Sequence, residues 1–275
     1  MMLMEPTNMS RMNQTTSTLS QFDEAGARRI EALYLTPDVV SQREQVLQRL
    51  APLPGERALD IGCGPGLTTL ALAEAVGLQG HVVAVDMAEP MLHLARQRCR
   101  SWPQVQLQNL DVAQLPMADN SFDIALATQV YEYVPDIAQA LKELARVVRP
   151  GGRVLLVDTD WESAVWASRD DQRMRRVLEV WNQHIPWPQL PRHLMPLLKQ
   201  AGFQDVQVAV MPLLNTCFEP LTYSAGMLDV IGAFVTGREG VSEQEVVDWK
   251  TDVRGMDAHT GYFFSLNRYV FVATL

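Results

Sequence analysis

Cysteine is scarce in this 275-residue chain: Cys63, Cys99 and Cys217 are three in number and far apart. An odd, scattered set suggests neither a disulfide framework nor a zinc site, so no metal is expected and a reducing, cytoplasmic compartment is the default. Positive charge is also short. Lys and Arg total 23 against 32 Asp and Glu, giving a net charge of −9 and a pI near 5.1. Nucleic-acid recognition needs clustered cations to neutralise phosphates. The densest basic groups, Arg96 to Arg100 and Arg173 to Arg176, read as polar faces of helices, so no nucleic-acid partner is expected. No apolar run approaches the ~20 residues of a membrane span. The opening MMLMEPTNMSRMNQTTSTLS lacks the basic start and apolar stretch of a signal peptide. It reads as a flexible arm over residues 1–20, and its five methionines leave the true start codon open. What is present, 47% hydrophobic and 20% charged residues, gives ample material for a core.

The pattern that follows alternates strands with helices. Val39 to Leu50 has helical spacing, with Pro37 in its first turn and Thr36 as its cap. RALDIG (57–62) reads as a buried strand, and LTTLALAEAV (67–76) as a helix. HVVAVD (81–86) is a second strand, followed by a helix opened by Pro90. VQLQNLD (105–111), FDIALATQ (122–129) and GGRVLLVD (151–158) are expected strands, the last preceded by the helix DIAQALKELARVV. Strands alternating with helices imply parallel β-α-β units and a sheet buried on both faces. Beyond Asp160 the spacing predicts a helix at MRRVLEVWNQH, a proline-rich loop and short helix ending at Gly202, and strands at DVQVAVMPL and YFFSLNRYVFVATL. Residues 215–261 are largely helical and too long for a simple connection. The expected architecture is an α/β, doubly wound, mostly parallel seven-stranded sheet with N-terminal helices. Residues 21–214 and 262–275 make the main domain, and 215–261 a helical lid or substrate insert covering the cofactor.

The glycine turn LDIGCGPG, Leu59 to Gly66, carries the chemistry. A phosphate-binding P-loop needs a Lys then Ser or Thr at the helix start, whereas here Leu67, Thr68 and Thr69 follow Gly66. The dinucleotide fingerprint G-x-G-x-x-G is closer, but Gly66 comes one position early. Asp60, at the strand end, would repel a pyrophosphate and attract an ammonium group. Asp86 lies 20 residues after Gly66 and ends the second strand, where an acid can accept from both ribose hydroxyls. Asp111, ending the third, can accept from an exocyclic amine. An amine, a ribose and an adenine together describe S-adenosylmethionine.

LDIGCGPG, VVAVDMAEPML, NLDVAQLPMADNSFDIALATQVYEYVPD and ELARVVRPGGRVLLVD resemble, in order and spacing, the successive motifs of class I S-adenosylmethionine-dependent methyltransferases, of the type 11, ubiquinone/menaquinone-biosynthesis-like group. The resemblance implies that Asp60, Gly62, Cys63, Gly64 and Gly66 surround the methionine part of the cofactor. It further implies that Asp86 holds the ribose with Met87 against the adenine, that Asp111 and Val112 meet the adenine edge, and that Thr128 and Gln129 line the amino-acid end. Arg43, on the preceding helix, is a candidate partner for the cofactor carboxylate.

The methyl acceptor is harder to read. Methyl transfer from a sulfonium needs alignment and exclusion of water more than a base, though a base helps a phenol. Of the five histidines, His81 and His93 read as structural or exposed; His184, His193 and His259 lie where an acceptor pocket is expected. Relatives often carry EHV where this chain has Glu132-Tyr133-Val134, so Tyr133 becomes a wall candidate. Asp160 and Trp161, after the fifth strand, are acceptor-side candidates by their place at the carboxyl end of a parallel strand. The C-terminal aromatics and methionines (among them Trp161, Trp166, Trp181, Met211, Tyr223 and Phe234) fit an apolar or aromatic small molecule, with a quinone-pathway or secondary-metabolite acceptor leading and transfer to O, N or C open. The competing expectations are a nicotinamide oxidoreductase on a related fold and a non-catalytic S-adenosylmethionine-binding protein. The oligomeric state is not readable.

Overall fold

The computed structural model describes residues 23–256 and 261–275; the expected arm over 1–20 and His259 lie outside the described residues. Two helices lead in. α1 (Glu24–Tyr34) is capped by Asp23, whose carboxylate accepts from the Gly26 amide. α2 (Pro37–Leu50) has Pro37 in its first turn, where a missing N–H costs nothing. Thr36 holds the N-cap position of α2 but does not cap it; its hydroxyl donates instead to the Leu33 carbonyl.

The alternating core follows: β1 (Arg57–Ile61), α3 (Leu67–Val76), β2 (His81–Asp86), α4 (Glu89–Cys99), β3 (Val105–Asn109), β4 (Phe122–Thr128), α5 (Ile137–Val147) and β5 (Val148–Trp166). Then come α6 (Asp171–Trp181), α7 (Pro191–Gln200), β6 (Gln204–Asn215), α8 (Tyr223–Val235), α9 (Glu243–Arg254) and β7 (Phe264–Thr274). The seven strands order as β3-β2-β1-β4-β5-β7-β6. Pairs from β3 through β5 are parallel, and β7 runs antiparallel to both β5 and β6. This is the expected doubly wound, mostly parallel sheet.

Apolar strand residues are buried on both faces. Leu59, Ile61, Val83 and Val85 pack with α5 and α7 through Leu141, Leu144, Leu194 and Leu198. On the other face Ala58, Val82 and Leu126 pack with α2 and α3 through Val46, Leu50, Leu72 and Val76.

β5 is far longer than its expected end at Asp158. After an irregularity between Asp160 and Val165 it pairs with β7 out to Trp166↔Phe264. That extension supports a second, aromatic core: Trp161, Trp166, Trp181, Phe234, Trp249 and Phe264 bury against one another. Edge-to-face contacts between Trp161 and Trp181 (centroids 5.4 Å apart) and between Trp166 and Phe264 (4.8 Å) give it definite geometry. Helices α8 and α9 fold onto this core. The C-terminal tryptophans are therefore largely committed to packing rather than available to a ligand.

Candidate cofactor and acceptor site

At the carboxyl ends of β1, β2 and β4 the chain leaves a cavity of about 410 Å³, lined by residues from α1, α2, the glycine turn, the β2, β3 and β4 ends, β6 and β7. This is the crevice where α/β sheets bind ligands, and its volume is that of an ordinary small-molecule site.

The glycine turn forms its floor, and packing explains the glycines. A Cβ on Gly62 would fall 2.3 Å from a methyl of Val130, and one on Gly66 2.9 Å from the Ala95 backbone in α4. Both have positive φ, 62° and 77°, a region costly to other residues. Gly66 thus sets the close approach of α3 and α4 and does not itself face the cavity, whereas Gly62, Cys63 and Gly64 line it.

Asp86 lines the cavity and holds the turn in place: Oδ2 accepts from the Gly64 amide at 2.8 Å and Oδ1 from the Ala88 amide at 2.8 Å. Burial raises its pKa and these amides temper the rise. Two amides leave free lone pairs on the carboxylate, the acceptor capacity a pair of ribose hydroxyls requires. Met87, Asp111, Val112, Thr128 and Gln129 also face the cavity. Asp111 additionally closes a turn by accepting from the Ala113 amide. Gln129 sits at φ 57°, a strained setting for a non-glycine residue. Its side chain donates to the Thr159 hydroxyl at 2.9 Å, so the chain leaves β4 in one fixed direction. Arg43 lines the cavity and donates to the Tyr34 carbonyl. The nearby Arg98 charge adds to burial in lowering its pKa, and Arg98 itself bonds the Pro65 carbonyl. Arg43 therefore stands on the glycine-turn side.

Asp60 behaves differently from the sequence expectation. It is buried beneath the turn, accepts the Thr69 hydroxyl at 2.6 Å and does not reach the cavity wall. Burial pushes its pKa up to about 7. The case against a pyrophosphate ligand thus cannot rest on Asp60 facing it; the carboxylates that do line the cavity are Asp86 and Asp111.

The acceptor-side candidates divide. Tyr133 lines the cavity, its hydroxyl pKa raised by burial and the nearby Glu132. His184 does not line it. Its ring stacks on Trp181 with centroids 3.7 Å apart, and its Nδ1 donates to the Trp181 carbonyl at 2.6 Å. Burial lowers its pKa to about 3, so at neutral pH it is a neutral packing residue and a poor base. His193 is on the exposed side of α7, away from the cavity. Asp160 belongs to β5 and is clasped by Arg192 through bonds of 2.8 and 3.0 Å. Trp161 is in the aromatic core, its indole reaching Glu132 at 3.4 Å. None of the described residues of 215–261 lines the cavity. The insert meets it indirectly, packing Met227 and Leu228 in one cluster with Leu33 of α1, the helix whose last residue, Tyr34, forms part of the wall.

Sequence reasoning missed Tyr34, Gln42 and Arg268, all on the wall; of the C-terminal aromatics and methionines it named for the acceptor, Met211 is on the wall. Arg268 had a signal. Along β7 the buried face runs Phe264, Leu266, Arg268, Val270, so a cation occupies a core position of an alternating strand. Gln42 is the matching anomaly on α2, among buried Val39, Val46 and Leu50.

A seven-stranded sheet with its antiparallel β7 defines a Rossmann-like fold of methyltransferase topology. Residues 59–156 match the family model of a methyltransferase domain. The chain is 38% identical over 120 residues to a demethylmenaquinone methyltransferase of Lysinibacillus sphaericus, covering 44% of this chain and 51% of that protein. It is 40% identical over 134 residues to an uncharacterized 37.1 kDa protein in transposon TN4556 of Streptomyces fradiae, covering 49% and 39% respectively. These matches thus span about half or less of the relatives' own length. Among solved structures, phosphoethanolamine N-methyltransferase 2 of Haemonchus contortus, bound to phosphomonomethylethanolamine and S-adenosylhomocysteine, superposes with a TM-score of 0.61 at 20% identity over 93% of this chain and 58% of that one, a likeness of fold. The likeness to a methyltransferase domain is thus carried by residues 59–156, the segment that runs from β1 into β5.

Proposed function

We propose that this chain binds S-adenosylmethionine along the β1–β4 side of the cavity and transfers its methyl group to a small molecule held on the β5–β7 side. The observation that carries this is the convergence, in one cavity, of Gly62 and Gly64, the amide-braced Asp86 carboxylate, and Asp111. The donor set fits the cofactor: carboxylates at Asp86 and Asp111 for the ribose and adenine, a cation at Arg43 for the carboxylate, and a turn that brings Gly62, Cys63 and Gly64 to the cavity. When bound, S-adenosylmethionine supplies a methyl group already activated by the positive sulfur.

The protein's part is then to orient and to keep water out. Met87, Met91, Val130 and Pro186 give the cavity a mainly apolar wall. Among the described residues no histidine lines it, and the Tyr34 and Tyr133 hydroxyls are both pushed up by burial. No histidine or tyrosine of the wall among the described residues is thereby poised as a base near neutral pH. An acceptor that is nucleophilic as it binds, through an amine, a stabilised carbanion or an ionised oxygen, suits this site. Similarity to demethylmenaquinone methyltransferases supports an apolar, quinone-pathway-like acceptor, and the apolar wall agrees.

Calorimetric titration with S-adenosylhomocysteine tests the binding half, and an acceptor screen with methyl-labelled S-adenosylmethionine tests the transfer half. Stabilisation by NAD with none by either S-adenosyl compound would overturn the reading. Cofactor binding with no methyl transfer to any acceptor would leave only the cofactor-binding function.

A further inference from the structure

Arg268 is an unusual cation. It is 3% exposed, yet it forms no salt bridge among the described residues. One guanidinium nitrogen, Nη1, donates to Gln42 Oε1 at 2.6 Å, and the Gln42 amide is itself aimed by donating to the Met211 carbonyl. The ring of Tyr223 lies 4.9 Å from the guanidinium carbon. The other two donor nitrogens, Nε and Nη2, make no hydrogen bond of good geometry, although the Tyr223 hydroxyl is near enough for the guanidinium to hold its pKa down against the rise that burial causes. Glu132, the acid whose charge Arg268 feels, spends its oxygens on the Thr159 amide and the Trp161 indole. A buried guanidinium with two donors lacking a well-formed bond is costly, and burial without pairing is characteristic of groups kept for a ligand. Arg268 lines the cavity.

Its place in the sheet assigns the ligand. Asp86 ends β2, and Arg268 lies on β7, paired with Thr159 of β5. The order β2-β1-β4-β5-β7 puts four strand spacings between them, roughly 19 Å. Arg43, beside Arg98 and the glycine turn, already supplies a cation for the cofactor's carboxylate.

Building on the methyl-transfer reading above, we propose that Arg268 is the anion-binding residue of the acceptor site, and that the methyl acceptor is a small organic anion, with an apolar body and a carboxylate or comparable oxyanion gripped by Nε and Nη2. The planar pair of donors matches a carboxylate edge, and Gln42 holds the guanidinium through its Nη1. The apolar wall takes the rest of the molecule.

The probes are benzoate, phenylacetate and hexanoate against their neutral amides, titrated by calorimetry into protein saturated with S-adenosylhomocysteine. At least one carboxylate is expected to bind ~10-fold or more tightly than its amide, as charge-assisted bonds to a buried guanidinium imply. Arg268→Met should abolish that preference, and Arg268→Lys should keep part of it. Both variants should bind S-adenosylhomocysteine within about twofold of the wild type, since neither loses a cofactor contact. A wild type without any carboxylate preference, or a preference that persists in Arg268→Met, overturns the proposal. Loss of S-adenosylhomocysteine affinity in the Met variant, in step with the carboxylate, also overturns it by moving the guanidinium to the cofactor. If Arg268→Met does not fold, Arg268→Lys decides: an undiminished carboxylate affinity refutes the grip. Failure of the wild type to bind S-adenosylhomocysteine is a different result and refutes the methyl-transfer reading itself.

Discussion

Asp60 offers the sharpest test of how the glycine turn is built. Its carboxyl is 2% exposed, bonds only the Thr69 hydroxyl among side chains, and has its pKa raised from 3.8 to about 7, by burial first and by the nearby Asp86 charge to a lesser degree. A pKa raised on folding means that the folded state holds the proton more tightly than the unfolded chain does. The associated stability is fully present below the unfolded value and disappears as pH rises through the folded one. The difference of about three pH units corresponds to about 4 kcal/mol, lost between roughly pH 4 and pH 8. Asp60→Asn cannot ionise and can still accept the Thr69 hydroxyl. Urea unfolding at intervals from pH 5 to pH 9 should therefore show the variant gaining steadily on the wild type. The gap should widen by about 3 kcal/mol between pH 5 and pH 8. Glu132 and Asp158 are also buried acids with raised pKa values, but they titrate in both proteins and cancel in the difference. Two parallel stability curves would refute the argument: Asp60 would then be ionised in the fold, with a partner that its surroundings do not contain.

Asp86→Ala should weaken S-adenosylhomocysteine binding ~10- to 100-fold by removing a charged acceptor for the ribose. An unchanged affinity in a protein whose circular dichroism is native would contradict the assignment. Gly66→Ala forces a side chain into φ 77° and against the Ala95 backbone, at about 3 kcal/mol. Thermal unfolding should fall by ~10 °C, and an unshifted midpoint would show that α3 and α4 can separate freely. His184→Phe should leave the pH profile of methyl transfer unchanged, because a ring whose pKa is about 3 has no proton-accepting transition near neutral pH. Disappearance of a neutral-pH limb from that profile would reinstate it as a base.

The cofactor half of the molecule was largely legible in sequence because it is local. β1, β2 and β4 run within a residue of their expected bounds, and the acids that end β2 and follow β3 face the cavity as strand polarity requires. Asp60 was misread because sequence gives a strand residue's position but not which neighbour claims its side chain; Thr69, one helical turn into α3, claimed it. β5 was cut short at Asp158 because its continuation to Trp166 depends on pairing with β7, about 100 positions later in the chain. The same extension turned Asp160 and Trp161 from expected loop residues into a clasped acid and a core aromatic. His184 looked like a base only until Trp181 was seen stacked on it.

The acceptor half resists sequence reading for a different physical reason. Its distinguishing contact, Arg268 to Gln42, joins residues 226 positions apart, and neither belongs to any short motif. What betrays them is a break in pattern: a charge at a core position of a period-two strand and an amide at a core position of a period-3.6 helix, each costly alone. The two anomalies relieve each other only in part, since Gln42 satisfies one guanidinium nitrogen and leaves two buried without a well-formed bond. A chain selected for stability alone would place apolar residues at both positions, as it does at Val270, Leu266, Val46 and Leu50 around them. The glycine-turn motifs are therefore the ground for the cofactor, while the uncompensated pair is the ground for the charge proposed for the molecule that meets it.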